Sequence, residues 1–593
     1  MEPTETVYEI TRHYLQDRKT TLPSSFYNWV LGNLRARRYD KLAACATSSL
    51  LDVTCRESMR TALQIEAFFK KNAVFTETQT SKLAALLTFE EGERLCEATN
   101  ERLDQFSTSP SEFPEKISRW VKSSEKFIDR LLGSHTEFLE VLPKLLEVTA
   151  GATATRSRRN ATPFLKINKK IVCTPGAIPY ITTLSKFFGY GDIVCKLISR
   201  NRVVFVPKSW KTARTIACEA EGNMPLQLAF DKYAKRRLIR VGINLSDQTR
   251  NQELAREGSI NGKLATIDLS MASDTLSFNT VALLLPGEWF RYLRSIRSQY
   301  YEMYPSHREA YHKFSSMGNG ATFALETLIF AAACYSVGGS TFSVYGDDII
   351  INSEKAEDLL EYLAFLGFVP NVEKTFTSGP IRESCGAYWH EGYDILPVYI
   401  RELDRRKTVQ CHLINTLMTI SEPYGNLWNY LVQITKDWRL PFVPMNESSI
   451  SGVWIHPHHA YARNLISTKL RIPGSGRWVE THIPRMRAFV PTSRIRKDYS
   501  IRSLFLWYLG TMDRQFGSVF GEIPDNATMS DLAKWRINAK SHGTIGCYES
   551  SWYATSSHKY RRKWVHWNPV VNGPDHLYEW SEEFVPAGES RRR

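Results

Sequence analysis

The chain has 593 residues, 43 % hydrophobic and 23 % charged, proportions that exclude wholesale disorder. Lys and Arg outnumber Asp and Glu by 76 to 62, giving a net charge of +14 and a surface that attracts a polyanion such as nucleic acid. No apolar run approaches the ~18 residues of a membrane-spanning helix, so no membrane partner is expected.

The length prior allows roughly three to four domain-sized units. The opening "MEPTETVYEITRHY" carries acidic residues and no apolar h-region. It does not read as a secretory signal, and the expected location is the cytoplasm. Residues 1–150 read as mainly helical. In 117–132, Ile117, Trp120, Val121, Ile128, Leu131 and Leu132 share one helical face, and Gly133 is placed to end the helix. The tract "GATATRSRRNATPFLKINKK", 151–170, turns small, polar and basic, as at a boundary or an exposed basic loop.

"VPKSWKTAR", 206–214, brings Lys208, Lys211 and Arg214 together at near three-residue spacing. That spacing suits the grip on a triphosphate, although such a group read alone is a solvated basic face. In "LATIDLSMASDTLS", 264–277, a short apolar strand runs into Asp268, with Asp274 following in a turn. "SSMGNGATFALETLIFAAACYS", 315–336, sets Gly318 and Gly320 directly before an apolar helix, where backbone amides favour phosphate or ribose oxygens.

"TFSVYGDDIIIN", 341–352, reads as two strands joined at Gly346, with Asp347 and Asp348 in the turn. Two carboxylates this close repel, and one must take a proton unless a cation neutralises the pair. A hard divalent metal is the usual remedy. Ser353 then opens a helix with Leu359, Leu360, Leu363 and Leu366 on its inner face, closed by Gly367, and Lys374 is brought back toward the acidic sheet.

Past residue 400 the chain grows aromatic and basic, notably in "KYRRKWVHWNP", 559–569, with Arg561, Arg562 and Lys563 as candidate RNA contacts. "RIPGSGRW", 471–478, reads as a flexible turn. "HPHH", 456–459, has no cysteine nearby and reads as a loop rather than a metal site. Ten cysteines form no CxxC pair, which argues against a zinc ribbon or a disulfide framework.

Each acid alone reads as a turn cap. If Asp268 sits at its strand end beside the Asp347–Asp348 turn, three carboxylates converge and can hold two Mg²⁺ ions about 4 Å apart for in-line phosphoryl transfer.

The order "VPKSWKTAR", "TIDLSMASD", "SSMGNGATF", "YGDD", "NVEKTF" and "GPIRESCG" resembles the motif series of an RNA-dependent RNA polymerase. With "GINLSDQTRNQELAREGS" at 242–259 and "RESCG" at 382–386, the wording is similar to the replicase catalytic (β) subunit family of the single-stranded RNA bacteriophages, the leviviruses. The match covers about residues 200–400. The resemblance implies an α+β right hand. Fingers would take 151–262, a palm of antiparallel sheet and helices 263–400, and a thumb with the basic C-terminal region 401–593. The helical residues 1–150 would associate with the fingers.

It implies Asp268, Asp347 and Asp348 as metal ligands for two Mg²⁺ ions, with Mn²⁺ as a substitute. By the same likeness Lys208, Lys211 and Arg214 grip the triphosphate, Asp274 senses the ribose with Asn319 and its glycine-motif neighbours Ser316 and Gly318, and Lys374 protonates the leaving pyrophosphate. Many viral RNA polymerases continue Gly and Thr with Asn at four-residue intervals. Here Gly318 and Thr322 are followed by Glu326, which leaves the ribose partner of Asp274 open. The implied partners are template and product RNA, ribonucleoside triphosphates, host elongation factors Tu and Ts and a ribosomal RNA-binding protein, within an infected bacterium. Two alternatives stand beside this reading. A reverse transcriptase shares the Tyr-x-Asp-Asp turn but usually has a bulky aromatic where Asp274 stands, and an RNA-binding protein with a decayed core would lack intact metal carboxylates.

Overall fold

The computed structural model describes residues 2–76, 79–158, 161, 166, 170–189, 193–304, 307–445, 448–455, 465–471, 478–492, 559–566, 580–581 and 584, with backbone alone for the strands between 465 and 566. The "HPHH" motif, the turn at 472–477, and the side chains of Arg561, Arg562 and Lys563 lie outside the described residues. The backbone of these three basic residues runs in the strand Lys559–His566, antiparallel to Trp478–Thr492. Helices and small sheets are mixed along the chain, an α+β composition.

The helix expected from the apolar stripe spans Glu115–Leu132, with all six stripe residues buried. Gly133 ends it at φ +67°, a conformation glycine adopts without a Cβ penalty. Its inner face packs on the helix Thr322–Ser336, where Ser124 and Ser336 share a hydrogen bond of 2.8 Å. Thr322–Ser336 is apolar on all sides, as its "LIFAAAC" run requires of a helix enclosed by neighbours.

The sheet that positions the site has three antiparallel strands in the order Leu264–Ile267, Asp348–Asn352, Phe342–Tyr345. Ile349 pairs with Ile267 and Asp348 with Tyr345, so the hairpin read from the sequence is present, with Gly346 and Asp347 as its turn. Gly346 sits at φ +61° against the Phe323 ring, leaving no room for a side chain there. The helix Ala356–Phe365 follows, with Leu359, Leu363 and Leu366 buried and Gly367 at φ +96° after it.

Two large hydrophobic cores stand out among the described residues, beside smaller clusters. One gathers residues between 103 and 146 with 171–368 around the Thr322–Ser336 helix. The other joins residues 7–69 to residues 381–453 and Trp580. The ends of the described chain therefore share a core, and the helices of 103–146 pack instead around the sheet that carries the acidic turn.

Candidate active site

Because Ile267 pairs with Ile349, the next residue outward on each strand, Asp268 and Asp348, reach the same sheet edge, with Asp347 exposed on the adjoining turn. The sequence expectation that Asp268 ends its strand beside the turn is met. Burial raises the Asp268 pKa to about 6, with Lys374 opposing and Asp347 adding to the rise. Burial, then Glu383, raises Asp348 to about 7, with Asp347 and Asp268 contributing. Desolvation is the main physical cause in both, and repulsion from neighbouring carboxylates adds to it.

The hairpin is held from behind. Asn251, on the helix Thr249–Asn261, donates to the Asp348 carbonyl (3.3 Å) and to Ser384 Oγ (3.2 Å), and it accepts from Ser343 Oγ (2.6 Å). The stretch 242–259, which carried part of the family resemblance, thus supplies a brace for the acidic turn. Ser384 Oγ lies 3.5 Å from Asp348 Oδ1, so the Asp348 side chain faces the strand Ile381–Ser384.

Lys374 returns to the acids as expected. Asn371 Nδ2 donates to Asp268 Oδ2 (2.6 Å), while Lys374 Nζ stands 3.8 Å from Asp268 Oδ2 and 3.3 Å from Glu383 Oε2. Burial pulls the lysine pKa down, but Glu383, Asp268 and Asp348 more than reverse this and hold it above the usual range. Glu383 is a fourth carboxylate that sequence reasoning missed. It lies in "RESCG" beside the buried Arg382, and its own burial is not legible from a strand only four residues long. Its Oε2 has no aligned hydrogen-bond donor. Among the described residues no three His, Cys, Asp or Glu side chains stand close enough to cage a metal ion as they are. The oxygen-only donor set, the raised carboxylates and the unaligned Glu383 Oε2 nevertheless fit hard divalent cations.

Lys208 and Lys211 lie on the loop joining the strands Arg200–Pro207 and Ala213–Cys218, and Arg214 is at the start of the second strand. Partial burial, then Arg214, lowers the Lys208 pKa, and Asp347 and Asp268 act on it in the opposite sense, so this loop shares the field of the acidic edge. Lys211 is exposed on the same loop.

In the glycine motif, Gly318 is at φ +111° against the Ala217 carbonyl, and the Ala217 N–H donates to the Met317 carbonyl (2.8 Å). This close approach ties the motif to the basic hairpin. Ser316 is buried. Asn319 Oδ1 accepts the Ala321 N–H (2.9 Å), which fixes the turn ahead of the Thr322–Ser336 helix, and no hydrogen bond joins Asn319 to Asp274 among the described residues. The partner of Asp274 is Lys313, whose Nζ donates to Asp274 Oδ1 at 2.9 Å. Glu326 is fully buried with Oε1 unpartnered; burial, then Asp347 and Asp274, pushes its carboxyl well above the usual range.

The acidic edge of two strands, the basic loop in its field and the glycine motif tied to that basic hairpin thus stand together. The sequence profile of the family described as RNA replicase, beta-chain, matches residues 59–425. The RNA-directed RNA polymerase subunit beta of Enterobacteria phage SP is 35 % identical over 405 residues, 64 % of this chain and 68 % of that one. The corresponding chain of Escherichia virus Qbeta is 39 % identical over 287 residues, and that of Escherichia phage MS2 is 40 % identical over 268. These two alignments span about half the length of each relative, 49 % in both cases. Among solved structures, the RNA-dependent RNA polymerase of BmCPV at elongation state aligns with 82 % of this chain and 49 % of that one at 11 % identity. Its TM-score is 0.37, a likeness that carries no argument. The chain belongs to the RNA replicase beta-chain family of RNA-directed RNA polymerases.

Proposed function

We propose that the chain replicates a single-stranded RNA phage genome by templated nucleotidyl transfer from ribonucleoside triphosphates. The observation that carries this is the register that sets Asp268 beside Asp348 and the Asp347 turn, with Lys374 among them and Lys208 in their field. The 3′-hydroxyl of the growing RNA gives its proton to solvent and attacks the α-phosphorus of the triphosphate, a phosphorus–oxygen bond forms, and the bond to pyrophosphate breaks. Two Mg²⁺ ions, with Mn²⁺ as a substitute, supply Lewis-acid stabilisation to such a transfer, and Asp268, Asp347 and Asp348 would hold them. Lys208, Lys211 and Arg214 bind the triphosphate as fixed positive charges. Lys374, held protonated by its acidic neighbours, gives the leaving pyrophosphate its proton. Asp274 accepts a hydrogen bond from the ribose 2′-hydroxyl, and the turn of Ser316, Gly318 and Asn319 shapes the sugar's pocket.

The same reading organises the chain as a right hand, with fingers at 151–262, palm at 263–400 and thumb from 401. Host elongation factors Tu and Ts and a ribosomal RNA-binding protein are its proposed partners in the infected cell. Among the described residues no helix is long and apolar enough to cross a membrane.

The deciding assay is incorporation of labelled ribonucleotides against deoxyribonucleotides on an RNA template, with Mg²⁺ and with chelator. Ribonucleotide incorporation that chelator abolishes is expected. Preferred deoxyribonucleotide incorporation would assign a reverse transcriptase, and none under any condition an RNA-binding protein. Affinity for RNA should fall steeply with salt, since each phosphate neutralised contributes about 0.7 to the log–log slope on single strands. Neutralising Arg561, Arg562 and Lys563 together should lower that slope by roughly 2; an unchanged slope assigns those charges to solvent.

A further inference from the structure

Lys313 is wholly buried, an expensive place for an ammonium unless every side of it is satisfied. Its Nζ donates to Asp274 Oδ1 at 2.9 Å, lies 3.1 Å from Glu93 Oε1 without hydrogen-bond alignment, and stands 3.6 Å from the centre of the Phe89 ring. Glu93 and Phe89 both belong to the long helix Gln79–Thr108, and Glu93 Oε2 is fixed by the His312 N–H (2.8 Å). The same helix is pressed onto the Asp274 turn. A Cβ at Gly92 would come within 2.9 Å of the Asp274 carbonyl, which Cys96 Sγ meets at 3.5 Å. Further along, Asn100 Oδ1 accepts the Asn279 N–H (2.9 Å) and Asn100 Nδ2 donates to the His312 carbonyl (2.9 Å). One oxygen of Asp274 is therefore held by a cation that cannot move, and Oδ2 carries no hydrogen bond among the described residues while the side chain remains 16 % exposed.

We infer that Lys313 is the positioning residue for Asp274, locked in place by Glu93, and that the helix Gln79–Thr108 is thereby a working part of sugar selection. The inference rests on the proposal that Asp274 reads the 2′-hydroxyl. Lys313 itself touches no substrate. It holds one oxygen of Asp274 in place and leaves the other free to accept a hydrogen bond.

The test measures kcat/KM for a ribonucleotide and for its 2′-deoxy counterpart with the full chain, under conditions in which the unchanged chain copies an RNA template. Lys313→Met should lower the ribonucleotide value by about 10-fold to 100-fold, the range for outer partners that orient functional groups. The deoxyribonucleotide value should move by less than about threefold, and adding Asp274→Ala should cost nothing further, since two residues acting as one unit are not additive. Equal losses for both sugars, or additive losses in the double variant, would overturn the inference.

Lys313→Met strands the buried Glu93 together with the partly exposed Asp274, so Lys313→Met with Glu93→Leu is measured beside it, leaving only Asp274 unpaired. If neither chain folds, Lys313 serves the fold alone and the inference falls. Asp274→Ala by itself separates the two levels. If it leaves sugar preference intact, the ribose reading fails and takes this inference with it. If it narrows the preference and Lys313→Met does not, only the role of Lys313 is lost.

Discussion

Asp268 and Asp274 stand close together in the chain, yet the clusters built around them differ in how their charge is balanced. Around Asp268 the fold gathers Asp347, Asp348 and Glu383 against Lys374, whose side chain is 39 % exposed, with Lys208 in the same field. Around Asp274 it sets Glu93 against Lys313, which has no exposure at all. In the first cluster the carboxyl pKa values are pushed up to about 6 and about 7. In the second, burial lowers the Lys313 pKa but Asp274 and Glu93 outweigh it, so the lysine stays charged. An excess of negative charge at an accessible edge is stabilised when external cations arrive, whereas a closed pair with its own cation fixes geometry. In the proposed function, chemistry falls to the first cluster and discrimination to the second.

The strongest way to break this contrast is Asp347→Asn, a near-isosteric loss of one charge from the exposed turn. Several kcal/mol of transition-state stabilisation is at stake, so nucleotide addition should fall by about a thousandfold or more while RNA binding is retained. Turnover within tenfold of the parent would remove Asp347 from the chemistry.

Lys374 tests whether the lysine paired with Asp268 and Glu383 supplies a proton or only a charge. General acid catalysis contributes about 10²-fold to 10⁴-fold, and Lys374→Met should cost at least the lower figure. Lys374→Arg keeps the charge but releases no proton at working pH, so it should not restore the rate; a restored rate would make the role purely electrostatic.

Asp274→Ala probes the second cluster. A site built around a substrate hydroxyl rejects the analogue lacking it by up to ~10⁴-fold when its polar group is buried. Asp274 is 16 % exposed, and water can partly replace the hydroxyl, so a narrowing of sugar preference of about 10²-fold is expected. Metal dependence should be unchanged, while Asp268→Asn should remove activity with both sugars.

Glu383 apart, the first cluster was legible in the sequence because its parts are local. A strand ending in Asp268, a two-residue turn carrying Asp347, and a helix that returns Lys374 each leave their own period and turn signals. The second was legible only at Asp274. Lys313 in "YHKFSSMG" has the look of a surface lysine, and Glu93 in "EEGERL" that of a solvated helix charge; the two lie far apart in the chain and meet only through the packing of Gln79–Thr108 on the Asp274 turn. The shared core of residues 7–69 and 381–453 was hidden for the same reason, since apolar periodicity marks a buried face but not the distant segment that covers it.

Glu326 lies in the field of both clusters and gives the smallest effect. It is fully buried, and desolvation, then Asp347 and Asp274, raises its pKa well above that of a free glutamate, so the folded chain favours the protonated form. A carboxyl whose folded pKa is raised contributes its full stability below the unfolded pKa of about 4.3 and loses it as pH rises toward the folded value. Near pH 4 both states hold the proton, and Glu326→Gln should melt with the parent. At pH 7 the unfolded chain has released its proton while the folded chain must keep one or bury a charge. Glutamine has no such requirement, so the variant should melt about 1–2 °C higher there, with the gain shrinking steadily toward pH 4. A gain that is equal at both pH values would mean that Glu326 holds no extra proton in the fold, and that the repulsion between the two clusters is relieved elsewhere.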